Sequence, residues 1–130
     1  MERVTGIGGF FFRARDPEAL GRWYAVYLGM LLPPPTYDDP VWWQDEGPTI
    51  WGAFPAETEA FGRPEQSWMM NFRVRDLDAM VAQLRQADIA VDVDPTEYPN
   101  GRFASLTDPE GNPIQLWQPN DIALQRPPVS

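Results

Sequence analysis

The sequence predicts an α+β fold in which two βαβββ modules in tandem form a shared concave sheet. Three observations carry that prediction. The stretch FRARDPEAL at 12–20 returns as FRVRDLDAM at 72–80, with five of the nine positions identical. In both copies an aromatic-rich run leads into an Asp at a helix start, which is the order strand then helix. After each helix the chain has room and turn signals for about three more strands. A four-stranded sheet with one helix leaves a second face to cover, and a copy of the same unit can cover it.

The elements follow in order. Residues 7–13 are an apolar run, too short for a helix and rich in aromatics, so they read as a buried strand. Asp16, Pro17 and Glu18 form a helix start: N-cap, first helical position, acid in the first turn. Leu20, Trp23, Tyr24, Tyr27 and Leu28 follow at helical spacing, and Gly29 ends the helix. Pro33, Pro34 and Pro35 make an extended break. Residues 41–44 and 49–54 read as two strands joined by the turn Asp45-Glu46-Gly47-Pro48.

Residues 55–66 are polar and bounded by Pro and Gly, the best linker in the chain. The second copy opens with a strand at 67–74. Asp76 caps a helix whose apolar stripe is Met80, Val81 and Leu84. Strands are expected at 89–93, at 102–107 after the Asn100-Gly101 turn, and at 114–117 after the turn 108–112. The tail reads as extended or disordered. The organisation is thus a single domain, 1–130. Its first module is about 4–54, its linker 55–66, its second module about 67–119 and its tail 120–130.

Composition narrows the chemistry. Apolar residues are 43%, which suffices for a globular core. The formal charge is −9 and all ten basic residues are Arg. No basic run exists to displace counterions, so neither nucleic acid nor an anionic membrane is expected as a partner. The chain has no Cys, which excludes disulfides, thiol nucleophiles and thiolate metal sites. It also has no His, which removes imidazole acid–base catalysis and the commonest zinc and iron ligand. No apolar run approaches membrane-spanning length and the N-terminus lacks a leader pattern, so a cytoplasmic protein is expected.

Four segments together resemble the vicinal oxygen chelate superfamily, which includes glyoxalase I, bleomycin-resistance proteins and extradiol dioxygenases. They are GGFFFRARDPEALGRWYAVYLGM, MNFRVRDLDAMVAQLRQADIAV, the Gly101-Arg102-Phe103 start of a strand, and DPEGNPIQLWQP. The resemblance spans residues 4–119. It implies the glyoxalase/bleomycin resistance/dioxygenase-like fold and commonly a homodimer. It also implies metal-ligand positions, which fall at Gly9, Met69, near Trp51 and at Gln115. Three of these carry no hard donor, and a neutral amide alone cannot offset stripping water from a divalent cation. No metal or other cofactor is therefore expected. Asp38-Asp39 and Asp45-Glu46 read as solvated loop charges.

Strand alternation puts i and i+2 on one face. The face of the former metal positions then offers Phe11, Trp43, Trp51, Met69, Asn71, Gln115 and Trp117, an aromatic pocket with two amides. That composition suits a flat apolar or amphipathic molecule, and Gly9 leaves room for it. Each aromatic has a plain alternative as core packing, Trp23 and Trp117 above all. The two amides are either bonded across the sheet or in contact with a ligand. Arg102, after its turn, is a further candidate ligand contact. Arg13, Arg15, Arg73 and Arg75 are expected to pair with Asp16, Asp76 or other surface acids, with an anionic ligand as the alternative.

The expected function is small-molecule binding by sequestration, without metal, as in the bleomycin-resistance branch. The alternatives are a glyoxalase- or dioxygenase-related enzyme of unknown reaction, for which Glu46, Glu97, Tyr37 and Tyr98 form no recognisable acid–base pair, and a module whose concavity is filled core.

Overall fold

The computed structural model describes residues 1–31 and 36–128. The break expected at Pro33, Pro34 and Pro35 lies outside them, as do the last two residues of the tail. Helix α1, Pro17–Leu28, starts where Asp16 accepts a hydrogen bond from the Ala19 N–H at 3.1 Å. It stops at Gly29, whose φ of 70° favours a residue without a Cβ. Helix α2, Leu77–Gln86, is capped the same way, with Asp76 accepting from Ala79 N–H at 3.0 Å.

The sheet has four strands: β1 Met70–Arg73, β2 Asp92–Val93, β3 Gly101–Thr107 and β4 Pro113–Pro119. Their order is β1-β4-β3-β2. β1 runs parallel to β4, and β3 is antiparallel to both β2 and β4. The α2 crossover is what allows the parallel pair. A two-residue turn at Pro99-Asn100 leads into β3, with Tyr98 and Gly101 exchanging both backbone hydrogen bonds.

Alternation along the strands builds the core. Ala104 and Leu106 of β3 and Ile114 and Leu116 of β4 point to one face, where Leu77, Val81 and Leu84 of α2 meet them. Trp23, Tyr24, Tyr27 and Leu28 of α1 pack against the same cluster, as do Phe72 and Val74. The β3–β4 turn is fixed by Asp108, which is buried. Its carboxylate accepts from the backbone N–H of Glu110 and Asn112, from the Asn112 amide, and from the Tyr24 hydroxyl at 2.7 Å.

The second repeat thus forms a complete strand–helix–three-strand sheet, and the first does not. The strands expected at 7–13, 41–44 and 49–54 form no ladder. The reason is physical: a strand exists only through a partner's hydrogen bonds, and none of these segments reaches the sheet edge in register. Their side chains stay largely uncovered, with Phe11, Trp43 and Trp51 exposed by 93%, 86% and 89%. Phe10 and Phe12 find partners, against Trp68 at ring distances of 5.1 and 5.4 Å, and Phe54 against Phe61 at 5.2 Å. The expected linker 55–66 is a run of turns. The chain exposes 10542 Å², whereas a folded monomer of 14.8 kDa should expose about 7,000 Å².

Candidate functional site

The face of the sheet turned away from α2 carries the odd-numbered residues of β1, β3 and β4. Strand register sets them in rows. Asn71 of β1 stands beside Gln115 of β4, which stands beside Ser105 of β3; one step on, the row is Arg73, Trp117 and Phe103. The Asn71 amide nitrogen donates to the Gln115 amide oxygen at 2.8 Å. Both residues are half-buried. The bond uses one group from each amide, leaving Asn71 Oδ1 and Gln115 Nε2 as an adjacent acceptor and donor with no partner among the described residues.

Aromatic packing closes one end of this face. Trp117 stacks on Phe103, with ring centroids 6.3 Å apart and planes 5° from parallel. Its indole N–H donates to the Asn100 carbonyl at 3.0 Å. Trp117 is only 3% exposed, so it forms the floor of the face rather than a contact surface. Met69 sits half-buried just ahead of β1. Arg73 reaches across to the turn of the first repeat, donating to the Asp45 carbonyl at 3.0 Å and lying on the Gly47 backbone.

Of the sequence-predicted residues, Met69, Asn71, Gln115 and Trp117 share this face. Phe11, Trp43 and Trp51 belong to the unpaired first repeat, and their rings contact no other ring among the described residues. The space above Gly9 is taken by the Phe11 ring, 3.1 Å from where a Cβ would stand. Arg102 is on the other side. It shares parity with Ala104 and Leu106 and forms an ion pair with Asp78 of α2 at 3.1 Å, and that carboxylate raises its already high pKa. A one-residue step along a strand reverses the face, so Arg102 does not share the face of Asn71 and Gln115.

Gly9, Met69 and Trp51 offer no hard donor, and Gln115 is a neutral amide already bonded to Asn71. Among the described residues no three His, Cys, Asp or Glu side chains converge. The carboxylates that are well held serve other ends. Asp108 locks a turn, and burial followed by the Asp108 bond pushes the Tyr24 hydroxyl above its ordinary range. Asp94 is held low by the Thr96 backbone N–H and then by Tyr98, whose hydroxyl is raised in turn.

Two clefts missed by sequence reasoning lie on the helix side. One, of about 270 Å³, is lined by Arg13, Ala14, Arg15, Arg63, Glu110 and Asn112. The other, of about 300 Å³, lies among Arg15, Asp16, Leu20, Trp23 and Pro109. Their residues come from three distant segments, so no local signal could have joined them.

Comparisons with known proteins fit this architecture. A family model described as a glyoxalase-like domain matches residues 9–117. Among solved structures, the chain is similar to TnmS3, an antibiotic binding protein from Streptomyces sp. CB03234. The identity is 26% and the TM-score 0.62, over 92% of this chain and 100% of that one. A glyoxalase/bleomycin resistance protein from the same strain is 41% identical over 41% of this chain and 46% of its own, with a TM-score of 0.36. A virulence protein from Salmonella typhimurium is 24% identical, covering 81% and 89%, with a TM-score of 0.46. Comparison with curated proteins finds no match.

Proposed function

The chain belongs to the glyoxalase-like domain family, and from that membership we propose that it binds a small aromatic or amphipathic organic molecule on the open sheet face and holds it without transforming it. One observation carries the reading. At Gln115, one of the implied metal-ligand positions, this chain presents a neutral amide bonded to Asn71, and the pair keeps one free acceptor and one free donor. Such a pair fixes the orientation of a ligand bearing a carbonyl beside a hydroxyl or N–H, and it can neither polarise a bond strongly nor move a proton near neutral pH. The similarity to an antibiotic-binding protein over nearly the whole chain supports the same reading.

A homodimer completes the proposal. The surface in excess of a folded monomer's is about 3,500 Å² per chain, against about 800 Å² that a partner buries in a standard interface. Much of it lies on the first repeat. Phe11, Trp43 and Trp51 would close over the ligand once a second copy pairs with those segments.

The test is a titration of planar polycyclic compounds, neutral and cationic, followed by thermal shift and by compound recovery. A compound present at 100 times its Kd should stabilise the protein by about 2.7 kcal/mol and be recovered unchanged. Asn71→Ala or Gln115→Ala should weaken binding about tenfold, and Trp51→Ala should abolish the shift. A silent panel, consumption of the compound, or stoichiometric zinc, nickel or iron in the purified protein would each defeat the reading.

A further inference from the structure

We propose that the two clefts on the helix side form a second binding site, for an amphipathic organic carboxylate, distinct from the sheet-face site. The clefts adjoin, sharing Arg15 and Glu110. They are open surface grooves of about 270 and 300 Å³. Their walls differ in character. One end is more apolar, lined by Trp23, Pro109 and Leu20, which is buried. Trp23 is held edge-on against Tyr24 at 5.1 Å, so the wall is fixed. The other end is cationic, with three of the chain's ten basic residues, Arg13, Arg15 and Arg63, around one opening.

The arginines matter because of what they lack. The chain carries 19 acidic residues, yet the guanidinium groups of Arg13 and Arg15 have no hydrogen bond or ion pair among the described residues. The expected pairing with Asp16 does not occur.

The acids that border the clefts are already engaged. Glu110 accepts the backbone N–H groups of Arg15 and Asp16 at 2.6 and 3.0 Å. Asp16 caps α1 through the Ala19 N–H. Asp108 is enclosed in its own turn and holds the Tyr24 hydroxyl. Glu65 pairs with Arg63 Nε at 3.4 Å from the solvent side. Arg63 is further positioned by the Gln66 side-chain oxygen at 3.0 Å and the Gly111 carbonyl at 3.5 Å. A carboxylate entering between Arg13 and Arg15 therefore displaces no existing ion pair, and a planar guanidinium can take it through two parallel hydrogen bonds. An aryl or alkyl tail then lies along Trp23 and Leu20.

The probe is 4-phenylbutyrate, with its neutral amide as control, followed on the intact protein by 15N-edited NMR. The carboxylate should shift amides at 13–16, 18–20 and 110–111 in a saturable way, and the neutral amide should bind about tenfold more weakly. Arg13→Gln combined with Arg15→Gln should weaken the carboxylate about tenfold and leave both the melting midpoint and the compound response at Asn71 and Gln115 unchanged. Equal binding of acid and amide, shifts centred on Asn71 and Gln115, or no saturable shift up to about 10 mM would overturn the proposal. The sheet-face reading stands or falls separately, because neither Asn71 nor Gln115 touches these clefts.

Discussion

Gly101 shows how much one residue can decide. Its φ is 133°, and a Cβ there would collide with the Gln118 carbonyl oxygen and press on the Trp117 indole nitrogen. Backbone strain and collision act together, so Gly101→Ala should cost about 2–4 kcal/mol, read as a fall in the urea midpoint at unchanged slope. Tyr24 carries a different consequence. Its hydroxyl bonds the buried Asp108 carboxylate, and Tyr24→Phe should remove about 2 kcal/mol. The folded pKa of Tyr24 is raised, first by burial and then by Asp108. Its contribution is therefore fully present below the unfolded value of about 10 and is lost as pH rises beyond it, because the unfolded state releases the proton first. Urea titrations from pH 8 to 11 should show a steeper alkaline loss in the wild type than in Tyr24→Phe. An identical alkaline limb in the two proteins would contradict the coupling. Arg102 makes the opposite point: a residue chosen for its neighbours in sequence turned out to serve α2, because parity along β3 outranks proximity to a turn.

Among elements, the helices were the most legible. Asp16-Pro17 and Asp76 are local signals, and both helices begin where those signals stand. Asp76→Ala should lower stability by about 1 kcal/mol, measured as a shift in the thermal midpoint. The loss should be confined to folding, since Asp76 lies on the helix side and leaves the Asn71–Gln115 row intact. The strands of the second repeat were legible too, with boundaries off by a few residues. The expected strand 89–93 shrinks to Asp92–Val93, because only those two residues find partners on β3. Alternation alone was enough to place Asn71, Gln115 and Trp117 on one face, since they share parity across two strands in register, with Met69 just ahead of β1; their role in binding is the proposal. The sheet pairing brings the two amides into a bond with each other, and each keeps one group free for the proposed ligand.

At the scale of the molecule, the unequal fate of the two repeats dominates. The second closes a core with α2, while the first leaves Trp43 and Trp51 in solvent. Sedimentation equilibrium should give a mass near twice the 14.8 kDa of the chain. Unfolding should depend on protein concentration, losing about 1.4 kcal/mol of apparent stability for each tenfold dilution. A monomer with a concentration-independent midpoint would refute the homodimer. Among the described residues no helix is long and apolar enough to cross a membrane.

The sequence by itself determined what neighbouring residues can enforce: where helices start and stop, which turns close, which strand residues share a face, and that no imidazole or thiol chemistry is open to this chain. Those features depend on contacts within a few residues, and composition needs no fold at all. Only the tertiary structure decided which expected strands acquired partners, that Arg102 faces α2, and that arginines from positions 13, 15 and 63 surround one opening beside Trp23. Each of these depends on segments far apart in the chain meeting at particular distances, and hydrophobic periodicity specifies a face without specifying what will be packed against it.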